Sequence, residues 1–322
     1  MKKYLLFLSA IILTSLLLIA GCGTAEEAVD TALEPEAEEI TEPVEPAGTL
    51  IVTDQMGREV VIESVPQRII SLSPSNTEVA FALGLGDRLV GVTEYCNYPA
   101  EAFEKEIIGG FATPSIEKIV ELEPDLVLAS TIHVEEVPRL EALGIPVLVV
   151  ESATLIELYA SMSLIAEVTA VTAAGEALIA SMQQRISVVE EVVLSIPVEE
   201  RVRVYYEVYS DPLMSAGKEA FINEIISLAG GINIFDDINE SYPQISAEVV
   251  AERQPDIILY PDYHGTADLV SEAMAGRPGW ESVPAVVNGR VYSISDDSFA
   301  RPGPRVVEAV EEAVKLFYPQ LF

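Results

Sequence analysis

Short apolar runs alternate along this chain with longer stretches whose apolar positions recur at helical spacing. The runs Arg68–Leu72, Leu126–Ala129, Val147–Val150, Arg203–Tyr206, Ile257–Tyr260 and Arg290–Ile294 predict buried strands. Thr77–Gly86 and Phe221–Gly231 predict amphipathic helices that end in glycine. No proline falls between Val147 and Ile196, and two helices are predicted there after the strand. One covers Leu155–Val168. The other covers Thr172–Leu194, with Thr172 offered as its N-cap. At 1.5 Å per residue this second helix would span roughly 35 Å.

The pattern repeats. Ser115-Ile-Glu117 through Pro124-Asp125 to Ala129 aligns with Ser246-Ala-Glu248 through Pro255-Asp256 to Tyr260, each pair 131 positions apart. Each copy begins with a Ser placed to cap a short helix, ends that helix near Pro, and then enters a buried strand. Strands and helices alternate twice over, which predicts an α/β protein of two Rossmann-like lobes with mostly parallel sheets. One long backbone helix would join the lobes and allow small tilts rather than wide closure. A ligand cleft between them is expected, because strand C-termini and their loops converge there.

The N-terminus differs in character. Lys2 and Lys3 precede an apolar run from Tyr4 to Ala20, followed by Gly21-Cys22. The small residues before Cys22 resemble the lipobox of bacterial lipoprotein signal peptides, which implies a signal peptide at residues 1–21 and lipidation at Cys22; an uncleaved anchor helix is the other reading. Lipid chains would then hold the chain on the extracytoplasmic face of the cell membrane. Residues 22–48 follow as a disordered tether, with nine acids, three Pro and no Lys or Arg from Gly23 to Gly48. The remaining boundaries are read as an N-terminal lobe at 49–157, connecting helices at 158–196 and a C-terminal lobe at 197–322.

Composition narrows the function. In 322 residues, 18 Lys and Arg face 52 Asp and Glu, a net charge of −34, while half the chain is hydrophobic. Nucleic acid is excluded as a partner, since phosphate neutralisation needs clustered bases. Two Cys cannot build a disulfide framework, and Cys96 reads as a small buried residue. No nucleophile elbow, phosphate loop or HExxH motif occurs, so no enzyme is predicted and no cofactor is expected. The Pro-Asp pairs read as structural turns rather than a catalytic carboxylate dyad.

From about Gly48 to Phe322 the chain resembles the class III substrate-binding proteins of ABC importers, which carry vitamin B12 and ferric siderophores. The resemblance rests on Arg68-Ile-Ile-Ser-Leu-Ser-Pro-Ser-Asn-Thr-Glu78, Gly91-Val-Thr-Glu-Tyr-Cys-Asn-Tyr-Pro99, Glu117 with Pro124-Asp125, Ser215-Ala-Gly-Lys-Glu219, Gly230-Gly-Ile-Asn233, Tyr242-Pro-Gln-Ile-Ser-Ala-Glu248 and Arg301-Pro-Gly-Pro-Arg305. The cobalamin-binding branch is the nearest match. That branch implies aromatic walls from Tyr95, Phe111 and Tyr242, and polar contacts to corrin side chains from Asp297 and Arg301. Phe111 and Tyr242 stand where that branch has Trp. Ser75 and Asn76 lie in the Ser73–Asn76 turn, whose amides would face the cleft. The resemblance also implies a permease dimer with its ATPase subunits as partner, met by Glu117 and Glu248 as docking carboxylates. Otherwise those two would simply favour a helix N-terminus. The protein is read as a monomer that captures cobalamin or a related corrinoid, with a ferric siderophore or haem as the alternative. A metal-dependent enzyme or a sensor that does not transport is the different-class alternative. His133 and His264 also sit 131 apart. They read either as polar loop residues or as a pair approaching a metal or corrin face.

Overall fold

In the computed structural model, residues 48–262, 273, 274 and 276–322 are described. The leader, the tether up to residue 47 with Cys22, and His264 lie outside the described residues.

A hairpin of β1 (Leu50–Thr53) and β2 (Glu59–Ile62) opens the N-terminal lobe. Its turn is tied by Asp54, whose carboxylate accepts from the amides of Met56 and Arg58 and from the Arg58 guanidinium. The hairpin was not anticipated. Its strands are only four residues each, too short for the alternation of Val and polar residues to stand out beside the tether.

Behind it stands a five-stranded parallel sheet made of β3 (Ile69–Ser71), β4 (Leu89–Val92), β5 (Glu106–Ile107), β6 (Leu126–Ala129) and β7 (Val147–Val149), in the order β5-β4-β3-β6-β7. Helix α1 (Pro74–Ala82) follows β3. It starts three residues earlier than periodicity predicts, because the Ser73 hydroxyl accepts from the Asn76 amide at 3.2 Å and Pro74 suits the first turn. Helices α2 (Ile116–Glu121) and α3 (Val137–Glu141) complete this lobe.

Helices α4 (Leu155–Val168) and α5 (Thr172–Leu194) have the predicted bounds. The predicted cap is displaced by one. Val171 holds the N-cap position without a side-chain bond, and Thr172 is the first helical residue.

The C-terminal lobe repeats the plan. Its strands β8 (Arg203–Ser210), β10 (Ile232–Asn233), β11 (Ile257–Pro261) and β12 (Val291–Ile294) run parallel in the order β10-β8-β11-β12, with β9 (Leu213–Ser215) antiparallel to β8. That pairing with β9 carries β8 well past the predicted Tyr206. Around the sheet lie α6 (Phe221–Leu228), α7 (Ala247–Glu252), α8 (Pro284–Val287), α9 (Asp296–Ala300) and α10 (Val306–Phe317).

The repeat extends to the hydrogen bonds. Asp125 accepts from the amides of Gln67 and Arg68 at the entrance to β3, and Asp256 accepts from the amide of Arg203 at the start of β8. The Arg68 guanidinium donates to the Leu122 and Glu123 carbonyls that end α2, and Arg203 donates to the Arg253 carbonyl that ends α7. Glu123 and Gln254 hold matching left-handed backbone, with φ of 45° and 46°. The Pro-Asp pairs are thus structural, as expected.

One apolar core runs through both lobes. It joins Ile69 and Leu126 to Val204, Ile257 and Val310 by way of Met162, Met182, Ile186 and Val189 on α4 and α5. Two smaller clusters fill the far face of each sheet. At Gly230, with φ of +79°, an added Cβ would come within 3.0 Å of Val193 on α5, so a side chain would both strain the backbone and part the lobe from its connecting helix. No described helix is long and apolar enough to cross a membrane.

Candidate ligand-binding cleft

Three strands of the N-terminal lobe end at one place. The Ser71 hydroxyl at the end of β3 donates to the Ser73 carbonyl and accepts from Thr77 on α1. The buried Asn76 side chain donates to the carbonyl of Ala129 at the end of β6, at 3.1 Å. Cys96 packs beneath, its sulfur within 3.1 Å and 3.2 Å of the Thr77 and Thr93 hydroxyls, as a small buried residue should.

Above these strand ends lies a cavity of about 320 Å³. Ser73, Ser75, Asn76, Tyr95, Phe111, Ser130, Glu151, Ser152 and Ser161 line it from the N-terminal lobe, and Ala300, Arg301 and Pro302 from the other. A second hollow of about 760 Å³ shares Tyr95 and Arg301 with it. Glu94, Asn97, Asp262, Ser295, Asp296 and Asp297 complete most of its wall. The cleft therefore brings together Ser75, Asn76, Tyr95, Phe111, Asp297 and Arg301.

Tyr242 is different. It lines neither hollow and is held on the loop before α7, where Gln244 bridges to Met214 of β9. The residue is 45% exposed, yet burial of its hydroxyl by the surrounding protein and then the Asp296 carboxylate push that hydroxyl's pKa up. Asp296, which lines the second hollow, has its own carboxyl raised by burial and next by the charge of Asp297.

A polar network ties the lobes beside the cleft. Arg301 pairs with Asp297 four residues earlier and donates to the Asn97 side-chain oxygen at 2.6 Å. Asn97 returns a bond to Asp297 at 2.8 Å, closing a ring across the two lobes. Deeper in, Glu78 of α1 is 3% exposed and accepts both Nε and Nη2 of Arg305, at 2.8 and 2.6 Å. Arg301 approaches the same carboxylate at 3.5 Å, and Arg305 also lies 4.2 Å from the centre of the Tyr98 ring. Sequence reasoning missed Glu78, Asn97, Asp296 and Arg305 as partners. The signal it had was faint: Glu78 and Arg305 are the last residues of two of the quoted motifs, but 227 positions separate them.

Of the two readings of His133, the one in which it approaches a metal or corrin face is not supported by its surroundings. Its side chain is buried, Nδ1 accepts from the Ser130 amide at 3.0 Å, and Nε2 faces the Phe111 carbonyl at 2.7 Å. Both ring nitrogens are occupied by protein. No cluster of three metal-ligating side chains occurs among the described residues.

Glu117 and Glu248 occupy matching exposed places in the first turns of α2 and α7, capped by Ser115 and Ser246. The Glu248 carboxyl is held below the ordinary range by its own backbone amide and then by the Ser246 hydroxyl.

Two parallel α/β lobes on a rigid helix, with a polar-and-aromatic cleft between them, define a solute-binding protein. The periplasmic binding protein family model matches residues 69–298, and the chain belongs to that family, whose members serve ABC importers with a permease and an ATPase. Its relatives here are substrate-binding proteins of transporters, not enzymes. The chain is 32% identical over its whole length to YvrC of Bacillus subtilis, an uncharacterised ABC transporter substrate-binding lipoprotein, and covers 99% of it. It is similar to the crystal structure of BtuF, the periplasmic vitamin B12 binding protein of Vibrio cholerae, at 32% identity and a TM-score of 0.68, covering 80% of this chain and 98% of that one. It is also similar to RhuT, a periplasmic haem-binding protein of Roseiflexus, at 27% identity and a TM-score of 0.71, covering 79% and 98%.

Proposed function

We propose that this protein captures cobalamin or a related corrinoid outside the cell and hands it to an ABC permease dimer. In this reading Cys22 carries the lipid anchor, the tether gives reach from the membrane, and the protein works as a monomer.

The charge of the cleft lining carries the choice of ligand. Among the described residues, Arg301 is the one cation lining either hollow, and Asp297 already neutralises it. Carboxylates stand around it at Glu94, Glu151, Asp262 and Asp296. Such a field repels catecholate siderophores and haem propionates, which call for free Arg or Lys. A corrin is a broad apolar disc edged with uncharged amide arms. Tyr95 and Phe111 offer it flat apolar faces, while the half-buried Ser75 offers a hydroxyl that suits an amide as donor or acceptor. The B12-binding relative agrees with this choice, and the haem-binding one supports the alternative.

Calorimetric titration of the purified protein with cyanocobalamin, cobinamide, haem and a ferric hydroxamate tests the proposal. Tight binding of a corrinoid is expected. Tight binding of haem or the hydroxamate, with both corrinoids at micromolar affinity or weaker, would overturn it.

A further inference from the structure

Phe111 reaches the cleft from an unusual support. It sits in the loop between β5 and α2, pinched at its base by a bridge between Gly109 and Pro114. Gly109 has φ of +119°, and a Cβ there would lie 2.8 Å from the Thr113 carbonyl, so only glycine fits the pinch. Nothing in that bridge fixes the tip of the loop, where Phe111 stands.

Within the loop a turn bond from the Thr113 amide to the Gly110 carbonyl, at 3.3 Å, spans Phe111, and from outside the loop the buried ring of His133 holds it. A backbone N–H donates to Nδ1, so Nδ1 carries no proton, and the proton on Nε2 is aimed at the Phe111 carbonyl. The imidazole also meets the Phe111 ring edge-on, with centroids 5.4 Å apart and planes at 87°. Ser130, which holds the other nitrogen, belongs to the turn that follows β6 and also lines the cavity. His133 thus spans from the end of a central strand to the tip of a loop, touching Phe111 through both its backbone and its ring.

We propose that His133 is a positioning residue for ligand binding, fixing Phe111 as one wall of the cleft by a hydrogen bond from Nε2. It contacts no ligand itself. The choice of ligand rests on the corrinoid reading; the positioning role does not.

Two substitutions separate the contacts. In His133→Asn the shorter amide can still accept from Ser130 but cannot reach the Phe111 carbonyl. In His133→Gln an amide N–H extends to the place of Nε2. The full chain is examined by hydrogen exchange over residues 109–114 and by calorimetry with cyanocobalamin, and fluorescence of the single, fully buried Trp280 reports that each variant is folded. His133→Asn is expected to raise exchange in 109–114 and to weaken cyanocobalamin binding about three- to tenfold, while His133→Gln stays within about twofold of the parent, as loss and recovery of one buried hydrogen bond require. In a Phe111→Ala background, His133→Asn is expected to have no further effect on affinity. Unchanged exchange and affinity in His133→Asn would overturn the proposal, and so would equal losses in Asn and Gln. If the parent protein binds no corrinoid, the ligand reading fails, and the exchange comparison still decides the positioning role.

Discussion

Glu78 is the residue on which the polar joint between the lobes turns. Its side chain is 2% exposed, whereas the side chains of Arg305 and Arg301 keep 14% and 18%. Burying one carboxylate alone would be prohibitive, and the two bonds from Arg305 are what make the position tenable. Removing one partner of a fully buried pair costs about 3–5 kcal/mol. Water still reaches both arginines, so Glu78→Gln is expected to destabilise by about 2–3 kcal/mol, read from the urea midpoint. Because Arg301 also lines the cleft, the same variant should loosen the ring it forms with Asn97 and Asp297 and weaken ligand binding. Arg305→Lys should recover little of any loss at position 305, since an ammonium cannot make the paired bonds of a guanidinium. A Glu78→Gln protein as stable as the parent would mean that the joint contributes nothing.

At the scale of elements, the chain announces what is local and periodic. Leu155–Val168 and Thr172–Leu194 were legible because helical spacing persisted over many turns without proline. The two lobes were legible because Pro124-Asp125 and Pro255-Asp256 repeat with their flanking residues. The hairpin Leu50–Ile62 was not, and neither was the two-residue strand β5, since strands so short carry too few alternations to read. Of the cleft lining, Ser75, Asn76, Tyr95, Phe111, Asp297 and Arg301 were named from the sequence, because each stands in or beside a motif of the family resemblance. The pairs across the lobes were hidden, because Asn97 and Arg301 meet only after both lobes have folded. For a related reason the two readings of His133 could not be separated from the sequence. Its place after a strand was clear, but its contact with Phe111 joins residues 22 positions apart.

The repeated clamp gives a test at this same scale. Asp125 holds two amides at the entrance to β3, at 2.7 and 2.8 Å, beside water. Asp125→Ala is expected to cost about 1–2 kcal/mol, somewhat less than two charge-assisted bonds in a dry interior. Asp125→Asn keeps one acceptor and should cost about half of that. Asp256→Ala removes the matching bond at β8, and a loss of similar kind there, seen in urea unfolding, would establish that the repeat shares energetics as well as shape.

For the whole molecule, the continuous core through α4 and α5 holds the lobes at a nearly fixed spacing. The exposed Glu117 and Glu248 are carried on equivalent turns of the two lobes, so they too stand at a nearly fixed separation. A two-fold permease offers two equivalent contacts, and a pseudo-two-fold binder with one carboxylate per lobe can meet both at once. Linking two weak contacts through a rigid body makes the second effectively intramolecular, so losing both should cost far more than losing either. The glutamates are separate from the cleft lining, so ligand affinity should not follow. In proteoliposomes holding the cognate permease and ATPase, Glu117→Ala and Glu248→Ala are each expected to weaken stimulation of ATP hydrolysis by this protein, and the double variant to abolish stimulation and uptake. Calorimetry on the double variant should return the parent's affinity for cyanocobalamin. Raised salt should weaken the parent's docking in the same direction, because exposed ion pairs are screened. A double variant that stimulates normally would remove these carboxylates from docking and leave them as residues that merely favour the N-termini of α2 and α7.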